Sequence, residues 1–292
     1  MEEILFDGSF FAKLQTLKMS SKLKMTSGMS GGRKSFLKGN SVEFSDFREY
    51  MLGDDIRKID WNAYGRMNRL FIKLFQEEKE GVFRIFIDGS KSMDFGEHKK
   101  SVLARRIAGM LSYIVLNNQD RVYVNQITEK EIIAGKGMTG KQSFGRILNQ
   151  LENMEFTGSV NLKDSVTGTK FVGRGTTILI SDFLDQPELD ELLRYLAYHK
   201  QEIVLIQTLS EEEVHPDLEG HINLIDMESK QDMKVSMSSS VLRAYDKTLK
   251  EFQASLREAA RKYQANFLWV HTAEALDKFI FEGIQSGQLE HL

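Results

Sequence analysis

The stretch Val82-Phe-Arg-Ile-Phe-Ile-Asp88-Gly-Ser90-Lys-Ser92-Met93 decides how this chain is read. A strand-forming run ends in a carboxylate, and two hydroxyls follow at alternate positions. A run this apolar is expected to be buried on both faces, as in a parallel sheet. An aspartate at its end then costs free energy unless a cation, a set of hydrogen-bond donors or solvent receives it. A carboxylate with neighbouring hydroxyls is a donor set that suits a hard divalent ion.

Working outward, Gly175-Thr-Thr-Ile-Leu-Ile-Ser-Asp182 repeats the design: an apolar strand that delivers a hydroxyl and an aspartate at its end. Between the two strands, Val102, Leu103, Ile107, Met110, Leu111 and Ile114 recur at helical spacing, and Asn117–Asp120 supplies a stop. Arg121–Ile127 reads as a strand, Glu131–Ala134 as a short edge partner, and about Gln142–Met154 as a helix. Further on come a helix at Pro187–His199, strands at Glu202–Thr208 and Asn266–His271, and a last helix at Ala273–Gln285. This alternation predicts an α/β three-layer sandwich with a mainly parallel central sheet and one antiparallel edge strand.

That domain is expected over 81–288, with an insertion at about 210–265 made of two polar strands, near 221–226 and 231–236, and a long helix. The helix carries Leu242, Tyr245, Leu249, Phe252, Leu256, Ala259 and Tyr263 as an apolar seam. Such a seam packs on its own domain or, alternatively, on a second copy or a partner. Residues 1–80 are rich in Gly, Ser and charge, hold Arg69–Phe75 as their good strand candidate, and are expected to form an N-terminal appendage.

The 292 residues are 41% hydrophobic and 28% charged, which fits an ordinary globular protein. A net charge of −3 argues against general nucleic-acid binding. From Lys13 to Lys38 the chain is locally basic, with Lys18, Lys22, Lys24, Arg33 and Lys34 and no acidic residue; this reads as a solvated arm, or else as a contact for anionic lipid or an acidic partner. The absence of cysteine removes disulfides and thiolate ligands. The histidines show no pair at ligand spacing, so zinc is not expected. The start Met1-Glu-Glu-Ile-Leu-Phe lacks a secretory pattern, and no apolar run reaches the roughly 18–20 residues that cross a bilayer. A cytoplasmic protein with no transmembrane segment is expected, its oligomeric state left open.

Asp88-Gly-Ser90-Lys-Ser92 resembles the D-x-S-x-S form of von Willebrand factor A domains, where it builds a metal-ion-dependent adhesion site. The resemblance implies a von Willebrand factor A-like (Rossmann-like) sandwich and a site for Mg2+, or for Mn2+ or Ca2+. Asp88, Ser90 and Ser92 would be ligands, and Asp182 is expected to join them beyond the carboxyl ends of the strands. The resemblance adds a threonine from the loop after the third strand, where Thr139 stands. An ion held largely by neutral hydroxyls keeps positive charge, so a carboxylate from a protein partner is its natural further ligand. The chain thus reads as an adaptor with no catalytic residues. One alternative is a Mg2+-dependent phosphohydrolase using Asp88, although Ser90 stands where a second aspartate would serve as acid/base. Another is a self-associating scaffold built on the long helix. Gly135–Ser143 is close to a phosphate-binding loop but has Gln142 where a hydroxyl should meet Mg2+.

A second dense cluster is Arg48-Glu-Tyr50-Met-Leu-Gly53-Asp54-Asp55-Ile-Arg57-Lys-Ile-Asp60-Trp61. Aspartates in a Gly-containing turn cap helices or pair with arginine, so the cluster is expected to be a structural latch docking the appendage, with Trp61 as apolar anchor. Together with the Asp88 strand and Leu-Ile-Ser-Asp182-Phe-Leu, it resembles the bacterial domain of unknown function 58 (DUF 58) over about 40–290. That family resembles von Willebrand A domains and is encoded beside MoxR-type AAA+ ATPases, which implies a partner in ATP-driven assembly, maturation or metal insertion.

Overall fold

The computed structural model describes residues 5–14, 42–77, 80–184, 186–216, 220–225, 232–273, 276 and 279. The chain forms two compact units, one of Met1–Met29 with Val82–Leu292 and one of Ser30–Gly81.

The larger unit is built on a six-stranded sheet. Its strands are β3 (Val82–Asp88), β4 (Arg121–Ile127), β5 (Ile132–Ile133), β6 (Gly175–Ser181), β7 (Gln201–Leu209) and β10 (Asn266–His271), in the spatial order β10-β7-β6-β3-β4-β5. All neighbours are parallel except the edge pair β4 and β5. Alternate residues feed two cores, one on each face. Ile85 and Ile87 of β3, Ile178 and Ile180 of β6, and Val204 and Ile206 of β7 enter one core. Phe86, Leu179, Ile203 and Leu205 enter the other. Both faces being covered explains why these strands read as continuous apolar runs. The first core is closed by α1 (residues 8–14), α3 (Lys100–Asn117) and α4 (Phe144–Glu152). The second is closed by α5 (Leu162–Thr167), α6 (Leu189–Tyr198) and α8 (Ser239–Lys262).

The expected insertion is present as an antiparallel hairpin of β8 (Gly220–Ile225) and β9 (Asp232–Met237) followed by α8. Before the hairpin comes one short turn of helix, α7 (Glu211–Val214). The last helix, expected at 273–285, lies largely outside the described residues, as does most of the basic segment from 13 to 38.

The smaller unit pairs β1 (Val42–Glu49) with β2 (Phe71–Glu77) and places α2 (Trp61–Met67) between them in sequence. Two expectations are corrected here. First, residues 1–80 are not one appendage: Phe6, Phe10 and Leu14, on and beside α1, are buried in the first core of the larger unit. Gly109 of α3 leaves room for this contact, because a Cβ there would come within 3.2 Å of the Phe6 and Phe10 rings, which would have to shift by a few tenths of an ångström. Second, β1 was not expected, and it carries a bulge between Phe44 and Asp46.

Candidate functional site

The chain runs from β3 to β4 on one side and later returns to β6 on the other, so the strand order reverses beside β3. In an open α/β sheet that reversal leaves a crevice beyond the carboxyl ends of the two strands. Asp88 ends β3, and Asp182 immediately follows β6.

Local chemistry then fixes each side chain. Gly89 donates its N–H to Ile127 O at 2.9 Å. A Cβ at Gly89 would stand only 2.4 Å from that same oxygen, so glycine is required there. The chain turns back so that Ser90 N donates to Asp88 Oδ1 at 2.9 Å, while Ser181 Oγ donates to Asp88 Oδ2 at 2.5 Å. Met93, fully buried, packs into the first core. Ser90 Oγ and Ser92 Oγ lie 3.0 Å apart, and Ser92 Oγ donates to Asp182 Oδ2 at 3.3 Å. Four residues from segments some ninety positions apart therefore converge at one edge of the sheet.

The turn after β6 is strained. Phe183 has φ +59, in the left-handed region, which costs about 1–3 kcal/mol for a non-glycine residue. Its side chain is buried in the second core, its N–H bonds Ser181 Oγ at 3.0 Å, and Leu184 N bonds Asp182 Oδ1 at 3.1 Å. Burial and hydrogen bonds hold the strained turn that presents Asp182.

Asp88 and Asp182 are 2% and 5% exposed. Burial, and secondarily the charge of Asp182, push the Asp88 carboxyl up, against the hydrogen bonds from Ser181 and Ser90. A third charge enters from α3: Lys100 Nζ donates to Asp182 Oδ2 at 2.8 Å and to Glu213 Oε1 at 2.6 Å. Burial opposes the Lys100 charge, and Asp182 and Glu213 more than offset it, so its pKa is raised. Among the described residues no group of three or more His, Cys, Asp or Glu side chains is placed to hold a metal. The set here is of another kind, two carboxylates with two hydroxyls. Those are hard oxygen donors, and the mutual repulsion of the carboxylates is what a divalent cation relieves; the residues fit such an ion.

The family described as "Protein of unknown function DUF58" matches residues 46–255. The chain belongs to the DUF58 family. The uncharacterized proteins Rv1480 of Mycobacterium tuberculosis and Mb1516 of Mycobacterium bovis are each 25% identical to it over 231 residues, 76% of this chain and 72% of theirs. Among solved structures, the conserved hypothetical protein BatB from Bacteroides thetaiotaomicron aligns at 12% identity and a TM-score of 0.44, over 70% of this chain and 98% of its own. The SpRpn10 VWA domain aligns at 11% and 0.39, over 70% and 95%.

In this DUF58 chain the structure brings together Asp88, Ser90, Ser92 and Asp182 but not Thr139. After β5 the segment runs back along β4, so that Met138 bridges Val122 at the start of that strand, whereas Asp88 pairs with Ile127 at its end. Five residues of strand, about 16 Å, separate the two ends. Thr139 and the Gly135–Ser143 loop therefore belong to the opposite rim. The threonine beside the site is Thr157, whose N–H donates to Gly89 O at 2.8 Å while Lys91 N donates to Gly158 O at 2.9 Å.

Thr157, Lys100 and Glu213 went unnoticed in the sequence. A threonine beside Gly158 in a polar loop was the available signal for the first. Nothing local marks the other two.

The Arg48–Trp61 cluster forms a capped turn inside the smaller unit. Arg48 Nη2 donates to Asp54 Oδ1 at 2.8 Å, and Met51 N to Asp54 Oδ2 at 2.8 Å. Asp55 accepts from Arg57 N and Nε at 3.1 Å each. Asp60 caps α2, accepting from Asn62 N and Ala63 N. Gly53 takes φ +105, which suits glycine, and Tyr50 N bonds Leu70 O. These carboxylates orient backbone and arginine. Trp61 is 64% exposed, with its ring edge-on to Tyr64.

Proposed function

We propose that this protein is a metal-dependent protein-binding adaptor whose Asp88–Asp182 rim engages a carboxylate of a partner through a divalent cation such as Mg2+. The observation that carries the reading is the Ser92–Asp182 hydrogen bond, which joins the D-x-S-x-S loop to the end of a different strand. When bound, the ion would supply a Lewis-acidic position that accepts an external oxygen. Asp88, Ser90, Ser92 and Asp182 would hold it, with Thr157 as the further hydroxyl in place of Thr139. The chain's own residues prepare the rest. Ser181 and Ser90 N–H fix the orientation of Asp88, and Lys100 balances part of the negative charge.

The adaptor reading is favoured over phosphoryl transfer because both Asp88 oxygens are engaged by hydrogen bonds, which suits a fixed ligand better than an attacking nucleophile. The proposed partner class is a MoxR-type AAA+ ATPase, or a client delivered to one. The test is binding of the purified chain to a purified MoxR-type AAA+ ATPase, with Mg2+ and then with chelator, for wild type and Asp88→Ala. Binding lost in both the chelated and the variant samples is expected. Phosphate release from small esters that disappears in Asp88→Ala would overturn the adaptor reading.

A further inference from the structure

We infer that Lys100 is the resident cation of this site, so that a divalent ion gains Asp182 by exchange with the Lys100 ammonium rather than by filling open space. The inference rests on the metal-site reading above and goes beyond it.

Three observations carry it. The Lys100 side chain is 3% exposed and the Asp182 side chain 7%, so the pair is shielded from water and its charges depend on each other. Both Asp182 oxygens are occupied: Oδ1 accepts from Leu184 N, and Oδ2 from Ser92 Oγ and Lys100 Nζ. Direct coordination by Oδ2 competes with an ammonium 2.8 Å away. Lys100 also has a second seat. Glu213 Oε1 accepts it at 2.6 Å, and Glu213 is itself held, because its Oε2 accepts from Ser210 N at 2.8 Å in a capping box on α7. An ammonium on a flexible four-carbon stem can therefore leave Asp182 and remain paired, which avoids the cost of a lone buried charge.

The charges also suit exchange. Asp182 and Glu213 present two carboxylates to one ammonium while the Asp88 carboxylate lies close enough to Asp182 to repel it, and a divalent ion offsets the excess negative charge. Lys100 then weakens ion binding by repulsion while supporting the ion-free fold. Removing it should have opposite effects on these two properties. A lysine with only a structural role would move stability alone.

The experiment uses the full chain, wild type and Lys100→Met, with Mn2+ binding followed by calorimetry and thermal unfolding recorded with Mn2+ and with chelator. The expected result is Mn2+ affinity higher by about ten-fold or more in Lys100→Met, with a stability deficit in chelator that narrows when Mn2+ is added. Equal or weaker affinity in the variant, with the same deficit in both conditions, overturns the inference and leaves the metal site standing. No binding by either protein overturns the metal-site reading and the inference with it. If Lys100→Met does not fold, Mn2+-soaked crystals of the wild type decide. An anomalous peak at the rim with Lys100 Nζ on Glu213 alone supports exchange. A peak with Lys100 still bonded to Asp182 refutes it.

Discussion

At the scale of single residues, the site's shape turns on Gly89, where the chain passes too close to Ile127 O to admit a Cβ. Gly89→Ala is expected to cost about 1–3 kcal/mol, as overpacking against backbone does, and to lower ion affinity because the Asp88–Ser92 loop must shift. Denaturant unfolding with calorimetry checks both. A variant with wild-type stability would show that the loop has room to move. The convergence of Asp88, Ser90, Ser92 and Asp182 was legible because strand periodicity places Asp88 and Asp182 at strand ends, and alternate hydroxyls beyond a turn can face one point. Lys100 was not legible, since Lys99-Lys100 at a helix start reads as solvated and its partners lie 82 and 113 residues away. Thr139 was misread because sequence shows that a threonine follows β5 but not that the chain has by then returned to the far end of β4.

At the scale of elements, α8 shows how an apolar seam is shared. Leu256 and Ala260, in its second half, are buried in the second core, while Tyr245, in its first half, is 39% exposed and donates to Glu213 O at 2.7 Å. Leu256→Ala should therefore cost about 2–5 kcal/mol. Lys250→Ala, which removes an exposed ion pair with Asp246, should change stability by about 0.5 kcal/mol or less. Equilibrium unfolding of the two variants tests this; similar losses would mean that the helix packs differently. The cap of α7 is also open to test, since Ser210→Ala should cost about 1 kcal/mol. Helix α8 is tied to the rim through Gln253, which donates to Gln207 Oε1 as Gln207 donates to Asp182 O at 3.0 Å. Strand β1 escaped the sequence reading for a physical reason. Its bulge between Phe44 and Asp46 breaks the two-residue alternation by which half-buried strands are recognised.

At the scale of the whole molecule, the parallel sheet and its reversal point were legible because strands covered on both faces are apolar throughout and alternate with helical periodicity. The division of the N-terminal region was not, because α1 and the residues just before it join the larger unit through contacts with residues about a hundred positions on, such as Arg106 Nε to Leu5 O at 2.8 Å. No helix of the described residues is long and apolar enough to cross a membrane. A ligand that binds only the folded chain stabilises it by about 2.7 kcal/mol at a hundred times its dissociation constant. Saturating Mn2+ should thus raise the unfolding temperature of the wild type and not that of Asp88→Ala. Most direct of all is a calorimetric titration of Mn2+ into wild type, Asp88→Ala and Asp182→Asn. A single saturable ion per chain is expected in the wild type, with strongly weakened or absent binding in both variants; no binding by the wild type, or undiminished binding by either variant, would refute a cation site at this rim.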